Sequence, residues 1–419
     1  MRSARLIAFA LLLASPALAR AEGKFYLKDG DRVVFYGDSI TDQRLYTTFA
    51  ETYAVTRFPK ANVTFVHSGW GGDRVTGGGG GPVDLRLDRD VVAYKPTVVT
   101  IMLGMNDASY QPFRENIFKT YADGYQHLVD KLKADLPGVR LTLIKPSPYD
   151  DITRKPKFEE GYNSVLVRYG DFVKELAQKS GADVADLNTL VVEATKKAYE
   201  SDPEGAIKLN EDRVHPGPGG QLLMAYALLK DWNAPSVVST VSLDAKGPAL
   251  TSAENTAVTD LANADGSIRW TQLDEALPFP INLKDAPTAL AVKSSDVVDG
   301  LDREILKVAN LDAESHTLTI DGKAIGDFTK GQLAEGVNLA TLATPMSEQA
   351  ANVHQLTLRR AKLHDQRWRM IQVPYQTYNK TSGFAKALDG LDALEAEVQV
   401  EQRAAAQPKP HKFELKAKG

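Results

Sequence analysis

The stretch that decides the fold is Val33-Val34-Phe35-Tyr36-Gly37-Asp38-Ser39-Ile40-Thr41-Asp42. A short apolar run giving way to glycine, acid and serine reads as a buried strand ending in a tight turn, with the serine just past its carboxyl end. The same pattern recurs downstream. Residues 63–67 form a second β-like run that stops at Ser68-Gly69-Trp70-Gly71-Gly72-Asp73. Residues 97–103, opened by Pro96, lead into Gly104-Met105-Asn106-Asp107. Residues 140–144 are a fourth strand, stopped by Pro146 and Pro148, and residues 182–186 a fifth. Helical spacing lies between these runs, at 46–53, 88–93, 113–135 and 162–180, and again at 219–232 after the fifth. Apolar strands alternating with helices predict an α/β fold whose parallel sheet is covered on both faces. In such sheets, functional residues gather beyond the carboxyl ends of the strands. Ser39, the 69–72 glycines and Asn106 all stand there.

After Asn233 the texture changes. Residues 305–310, 317–320 and 323–328 read as short strands, with Asp321-Gly322 as a hairpin turn. Residues 345–371 and 384–403 have helical spacing. The expected organisation is a leader at 1–21, an α/β domain at 22–235, a small β-sandwich-like module at 236–340, and helices with a tail at 341–419. The two helices are candidates to pack back on the α/β domain. The lysine-rich end, 409–418, reads as a frayed solvated tail.

Bulk composition narrows the class. The chain has 419 residues, too many for one small core, and its 43% hydrophobic and 25% charged content is that of an ordinary globular protein. A net charge of -4 without a basic stripe argues against nucleic-acid binding. There are no cysteines, so neither disulfides nor thiol chemistry contribute. Arg2 and Arg5, the apolar run 6–13 and Ala17-Leu18-Ala19 make a leader with a small-x-small cleavage site, too short to anchor in a bilayer. The expectation is a secreted or periplasmic protein with no stable membrane insertion. No histidine cluster has metal-ligand spacing, and no glycine motif has the context of a nucleotide site, so no metal or cofactor is expected.

A serine hydroxyl becomes a useful nucleophile only with a base in hydrogen-bond reach. Asp212-Arg213-Val214-His215 supplies one, with Asp212 placed to bind the imidazole and fix its tautomer. Acyl transfer also needs donors for an oxyanion. The candidates are the Ser39 N–H, a glycine N–H of the 69–72 turn and the Asn106 amide. Taken singly, the glycines read equally well as a tight turn and Asn106 as a helix cap.

Together the four blocks resemble the SGNH (GDSL-like) hydrolase superfamily, over roughly residues 31–232, and secreted bacterial carbohydrate esterases within it. The resemblance implies a flavodoxin-like three-layer α/β/α domain. It gives Ser39 as nucleophile, Asp212 and His215 as the rest of a triad, and Ser39, Gly72 and Asn106 as the oxyanion hole. His67 stands where the family pattern N-x-G-x-x-G has asparagine, which loosens the glycine assignment. The implied activity is an exported serine esterase acting through an acyl-enzyme, with O-acetylated carbohydrate as the first substrate class. Partners would be small-molecule or polysaccharide esters. Lipid esters, a carboxylate-based cleavage involving Asp42, Asp73 and Asp107, and a non-catalytic glycan-binding module are the alternatives.

Trp70, Asp38, Asp73, Arg74 and Asp107 are the candidate substrate contacts. Trp70 either stacks on a sugar or plugs the core, and Asp73 and Arg74 are placed to pair with each other. The glycine run 77–81 reads as a flexible rim or lid, or equally as a simple solvated loop.

Overall fold

The computed structural model describes residues 24–247, 249–264 and 266–418. The predicted leader at 1–21 therefore lies outside the described residues. Five parallel strands form the central sheet: β1 (Arg32–Gly37), β2 (Thr64–Gly69), β3 (Val98–Met102), β4 (Arg140–Ile144) and β5 (Asp183–Ala185). Their order is β2-β1-β3-β4-β5. Every residue of β3, and Val33–Gly37 of β1, is buried. That is why these strands read as unbroken apolar runs and not as alternations.

Helices α1 (Leu45–Arg57), α5 (Leu187–Ser201) and α6 (Pro218–Asp231) pack together as one layer. Helices α2 (Val83–Asp90), α3 (Glu115–Asp135) and α4 (Tyr162–Ser180) form a second run of neighbours. α4 closes on Gly181 in the left-handed conformation, the usual glycine stop. The chain order reverses between β1 and β3, and the crevice at such a switch point is where α/β sheets carry their sites.

The C-terminal half holds two further sheets. One contains β6 (Val237–Asp244), β7 (Ala249–Glu254), β10 (Arg303–Ala309) and β13 (Val337–Asn338), in the order β13-β10-β6-β7. The other contains β8 (Thr256–Ala264), β9 (Ser267–Asp274), β11 (Ser315–Ile320), β12 (Lys323–Thr329) and β14 (His411–Ala417), in the order β8-β9-β14-β11-β12. Val241, Leu306, Trp270, Leu318 and Phe413 from both sheets share one core. The Asp321-Gly322 turn joins Ile320 to Lys323 with both residues at positive φ, the form expected of a two-residue hairpin.

Two expectations change here. The tail is not frayed, because β14 lies in the middle of its sheet, paired on both sides with β9 and β11. Phe413 and Leu415 point inward while Lys412 and Lys416 point out. The β module therefore does not end at residue 340; it is completed by the last strand of the chain. Helices α7 (Pro345–Asp365) and α8 (Ser382–Ala405) lead to that strand. α7 packs on α1 and β2 of the α/β domain and on α8.

Candidate active site

The carboxyl end of β1 turns directly into a one-turn helix, Ser39–Asp42. Asp38 caps it by accepting from the Ile40 N–H at 3.0 Å. Among the described residues no acceptor meets the Ser39 N–H, which is left as an orphan donor at the helix start. This turn lies against the end of β2 so closely that a Cβ on Gly69 would sit 2.2 Å from the Asp42 nitrogen. Only glycine permits that approach.

His215 arrives from the loop before α6. Its Nε2 is 2.8 Å from Ser39 Oγ, and its Nδ1 is 2.6 Å from Asp212 Oδ2. The Asp-x-x-His segment is not a helical turn. Arg213 takes a left-handed φ of 73°, and Asp212 Oδ1 accepts from the Val214 and His215 N–H groups at 2.9 and 2.7 Å. The carboxylate thus fixes its own loop with one oxygen and the imidazole with the other. Partial burial works to raise the Asp212 pKa, but these hydrogen bonds outweigh it and hold the carboxyl below its usual range.

The oxyanion candidates converge from β2 and β3. Gly72 has φ +79°, and its N–H meets no acceptor among the described residues. The neighbouring Gly71 N–H points to Asp42 Oδ2 at 3.3 Å. That difference marks Gly72 as the free donor of the turn. Asn106 Nδ2 gives one hydrogen to Asp73 O at 3.1 Å, leaving the other, while Asn106 Oδ1 accepts from the Tyr110 hydroxyl at 3.1 Å. Ser109 and Tyr110 both sit at positive φ, 59° and 54°, an unfavourable conformation for non-glycine residues. Tyr110 holds the amide with its nitrogen toward the site, a role with no local sequence signal.

Of the predicted substrate contacts, Asp38, Asp73 and Asp107 are turned into the fold. Asp38 is buried as the cap just described. Asp107 is buried and accepts from the Val75 N–H at 2.9 Å. Burial pushes each carboxyl up to about 7. Asp73 pairs with Arg86 at 2.7 Å, not with Arg74, because its side chain turns inward toward α2 while Arg74 stays exposed. Arg86 also bonds Asp90 and the Ser68 carbonyl. With Asp73 and Asp107 committed inside the fold, no pair of carboxylates from this set faces across the cleft.

Trp70 is enclosed. Arg369 stacks on it with its guanidinium carbon 3.6 Å from the ring centroid, and Trp368 meets it edge-on at 5.5 Å. The glycine run is no free lid, since Gly77–Gly78 pairs with Gly81–Pro82. A Cβ on Gly80 would be 2.7 Å from the indole. His67, at the place of the family asparagine, is buried between Thr47 Oγ1 at 2.8 Å and Glu51 Oε2 at 3.0 Å. Burial keeps its pKa below the usual value.

Residues 35–223 match the GDSL-like lipase/acylhydrolase family. Over 220 residues, 48% of this chain and 94% of the relative, the sequence is 26% identical to an acetylxylan esterase of Geobacillus stearothermophilus. A solved structure described as a gut microbial diltiazem-metabolizing enzyme aligns over 94% of this chain and 98% of its own, at 25% identity and a TM-score of 0.81. The likeness to that structure therefore takes in the β module and α7–α8 as well as the α/β domain.

Proposed function

Residues 35–223 carry an SGNH-type ester hydrolase domain of the GDSL-like lipase/acylhydrolase family, and from that premise we propose that the protein removes O-acetyl groups from carbohydrate. The observation that carries the reading is the Asp212–His215–Ser39 relay, at 2.6 and 2.8 Å, beside two unpaired backbone N–H groups and an oriented amide. In this reading His215 Nε2 takes the Ser39 proton as Oγ attacks the ester carbonyl. The oxyanion forms toward the Ser39 and Gly72 N–H groups and Asn106 Nδ2. Collapse breaks the bond to the sugar oxygen, which leaves with the proton held by His215. Water, deprotonated by the same imidazole, then releases acetate and restores Ser39.

The carbohydrate assignment is supported by the acetylxylan esterase relative. Export through the leader at 1–21 would bring the enzyme to extracellular polysaccharide. N-terminal sequencing of the protein recovered outside the cytoplasm tests that step. The central test is acetate release from acetylated polysaccharides and from 4-nitrophenyl acetate, with Ser39→Ala alongside. Release that vanishes in the variant supports the reading. Release that persists in a folded Ser39→Ala protein refutes the serine mechanism, and hydrolysis of aryl acetate without any acetylated glycan refutes the substrate class.

A further inference from the structure

The segment between α7 and α8 lies outside the family-matched residues, yet it reaches the site. α7 runs into a wide π-helical turn, Gln366–Gln372. Such turns present side chains that a regular helix would not, and they recur at functional sites. From it, Arg369 Nη1 reaches Asp42 Oδ2 at 3.3 Å. Asp42 belongs to the same turn as Ser39, and its Oδ2 also holds Gly71 N–H. At the start of the same stretch, Asp365 meets Arg44 at 2.7 Å, and Arg44 meets Asp42 Oδ1 at 3.4 Å. Farther along, Gln376 touches Arg89, whose other nitrogen binds the Gly80 carbonyl. The segment is thus tied at three points along the rim that runs from Ser39 past Trp70 to the glycine hairpin.

What this segment covers and what it exposes differ. It covers Trp70, the ring that the sequence offered for stacking on a sugar, with the Arg369 guanidinium on one face. It exposes Met370 at 62%, Tyr375 at 52% and Tyr378 at 59%. Their neighbours Gln372, Gln376, Asn379 and Lys380 are polar and have free or partly free hydrogen-bonding capacity in water. Large apolar side chains left in solvent beside a site mark a contact surface. Tyrosines spaced among amides, each with an apolar face and a polar edge, suit the mixed faces of a sugar chain better than an acyl chain.

We propose that the Arg369–Tyr378 segment is a binding strip for the glycan chain carrying the scissile acetyl group, with Tyr375 and Tyr378 as platforms for sugar units distant from the ester. The strip is continuous with the catalytic rim through Arg369 and Asp42, which fixes its occupant as an extension of the substrate itself. This rests on the carbohydrate reading above, and it makes the enzyme one for oligomeric or polymeric glycans.

The test compares kcat/KM of the full-length protein on acetylated xylo-oligosaccharides, from the disaccharide to the hexasaccharide, with that on 4-nitrophenyl acetate. In wild type the ratio of hexasaccharide to aryl acetate should exceed that of disaccharide to aryl acetate. In Y375A/Y378A the hexasaccharide ratio should fall about tenfold, the scale of two lost ring contacts, and the disaccharide ratio less. Val400→Ala, at an exposed apolar position near the end of α8, should leave both ratios where they were. Equal ratios in Y375A/Y378A and wild type would overturn the strip, and so would a loss confined to long-chain acyl esters in micelles. If even aryl acetate resists the wild-type enzyme, the esterase reading has failed. The strip is then judged by affinity electrophoresis of Ser39→Ala in a gel containing the same acetylated glycan: retardation that Y375A/Y378A abolishes upholds it, and no retardation overturns it.

Discussion

In the proposed mechanism Ser39, His215 and Asp212 act as a unit, joined at 2.8 and 2.6 Å, so removing any one of them should cost far more than its own contacts. Ser39→Ala and His215→Ala are each expected to lower kcat by about 10⁴-fold or more with the fold intact. Asn106→Ala should lower kcat by about 10²- to 10³-fold with little change in KM, because its amide matters only once the oxyanion forms. Steady-state kinetics on an aryl acetate decide this, and an Asn106→Ala enzyme with wild-type kcat would remove that residue from the hole. A second prediction concerns Asp38, whose carboxyl burial pushes up to about 7 against the hydrogen bond from Ile40. In the unfolded chain it titrates near ~3.9. The folded protein therefore binds the extra proton between about pH 4 and 7. The stability this contributes is full below pH ~4 and is lost as pH rises through about 7. Asp38→Asn keeps an acceptor for Ile40 and cannot ionise. Its Tm relative to wild type should climb between about pH 4 and 7. Glu51 and Asp212, held low, slope the other way, so the difference between the two proteins is the readout. A constant difference across that range would contradict the assignment. At this scale the Ser39 and Asn106 blocks were legible because they stand just after apolar runs, while Asp212 and His215 showed only by their spacing. The partner of Asp73 was not, because Arg86 lies 13 residues away on a helix whose orientation no local pattern specifies.

Among the elements, the strands of the parallel sheet could be read because burial on both faces leaves them uniformly apolar. The sandwich strands were harder. β7 is exposed along its whole length, and β8 carries a register shift between Thr259 and Ala262 with Asp260 at positive φ, so neither shows a clean period of two. The last strand is a different case. His411-Lys412-Phe413-Glu414-Leu415-Lys416-Ala417 alternates strictly, and the run of lysines hid a strand whose lysines all face water. Its central position leads to a prediction. Ending the chain at Pro410 removes both ladders that join β9 to β11 and opens two new sheet edges over a core that has lost Phe413 and Leu415. The truncated protein should aggregate on expression or melt well below wild type, whereas Lys412→Ala/Lys416→Ala should melt within a few degrees of it. A soluble truncation with unchanged Tm would mean that the sheet does not need its middle strand.

Across the whole molecule, α7 and α8 are built into the catalytic half by a buried charge network that no single segment of sequence could announce. Arg360 of α7 holds Glu51 of α1 through two hydrogen bonds, at 3.0 and 2.6 Å, and reaches the Phe65 carbonyl of β2 at 2.9 Å. Gln402 of α8 adds a bond to Glu51 at 2.9 Å, and His67 one at 3.0 Å. Burial alone would raise the Glu51 pKa; the Arg360 guanidinium and the His67 hydrogen bond bring it to about 2. The partners are 309 residues apart, so the pairing is a property of the assembled fold. It also gives the histidine at the place of the pattern's asparagine a structural part: His67 is held between Thr47 and Glu51 and steadies the strand that ends in the glycine turn. Breaking such a pair on one side leaves a buried charge without its counter-ion, a loss of about 3–5 kcal/mol, while replacing both partners by neutral groups costs much less. Arg360→Met should therefore lower stability by that amount in denaturant unfolding and slow catalysis through the loosened end of β2. Because Arg360 also holds Glu395 of α8 at 2.8 Å, Glu51→Gln/Glu395→Gln/Arg360→Met should recover most of the stability. A triple variant no more stable than Arg360→Met would show that Arg360 contributes by packing and by its bond to Phe65. The two halves would then be joined by shape and not by charge.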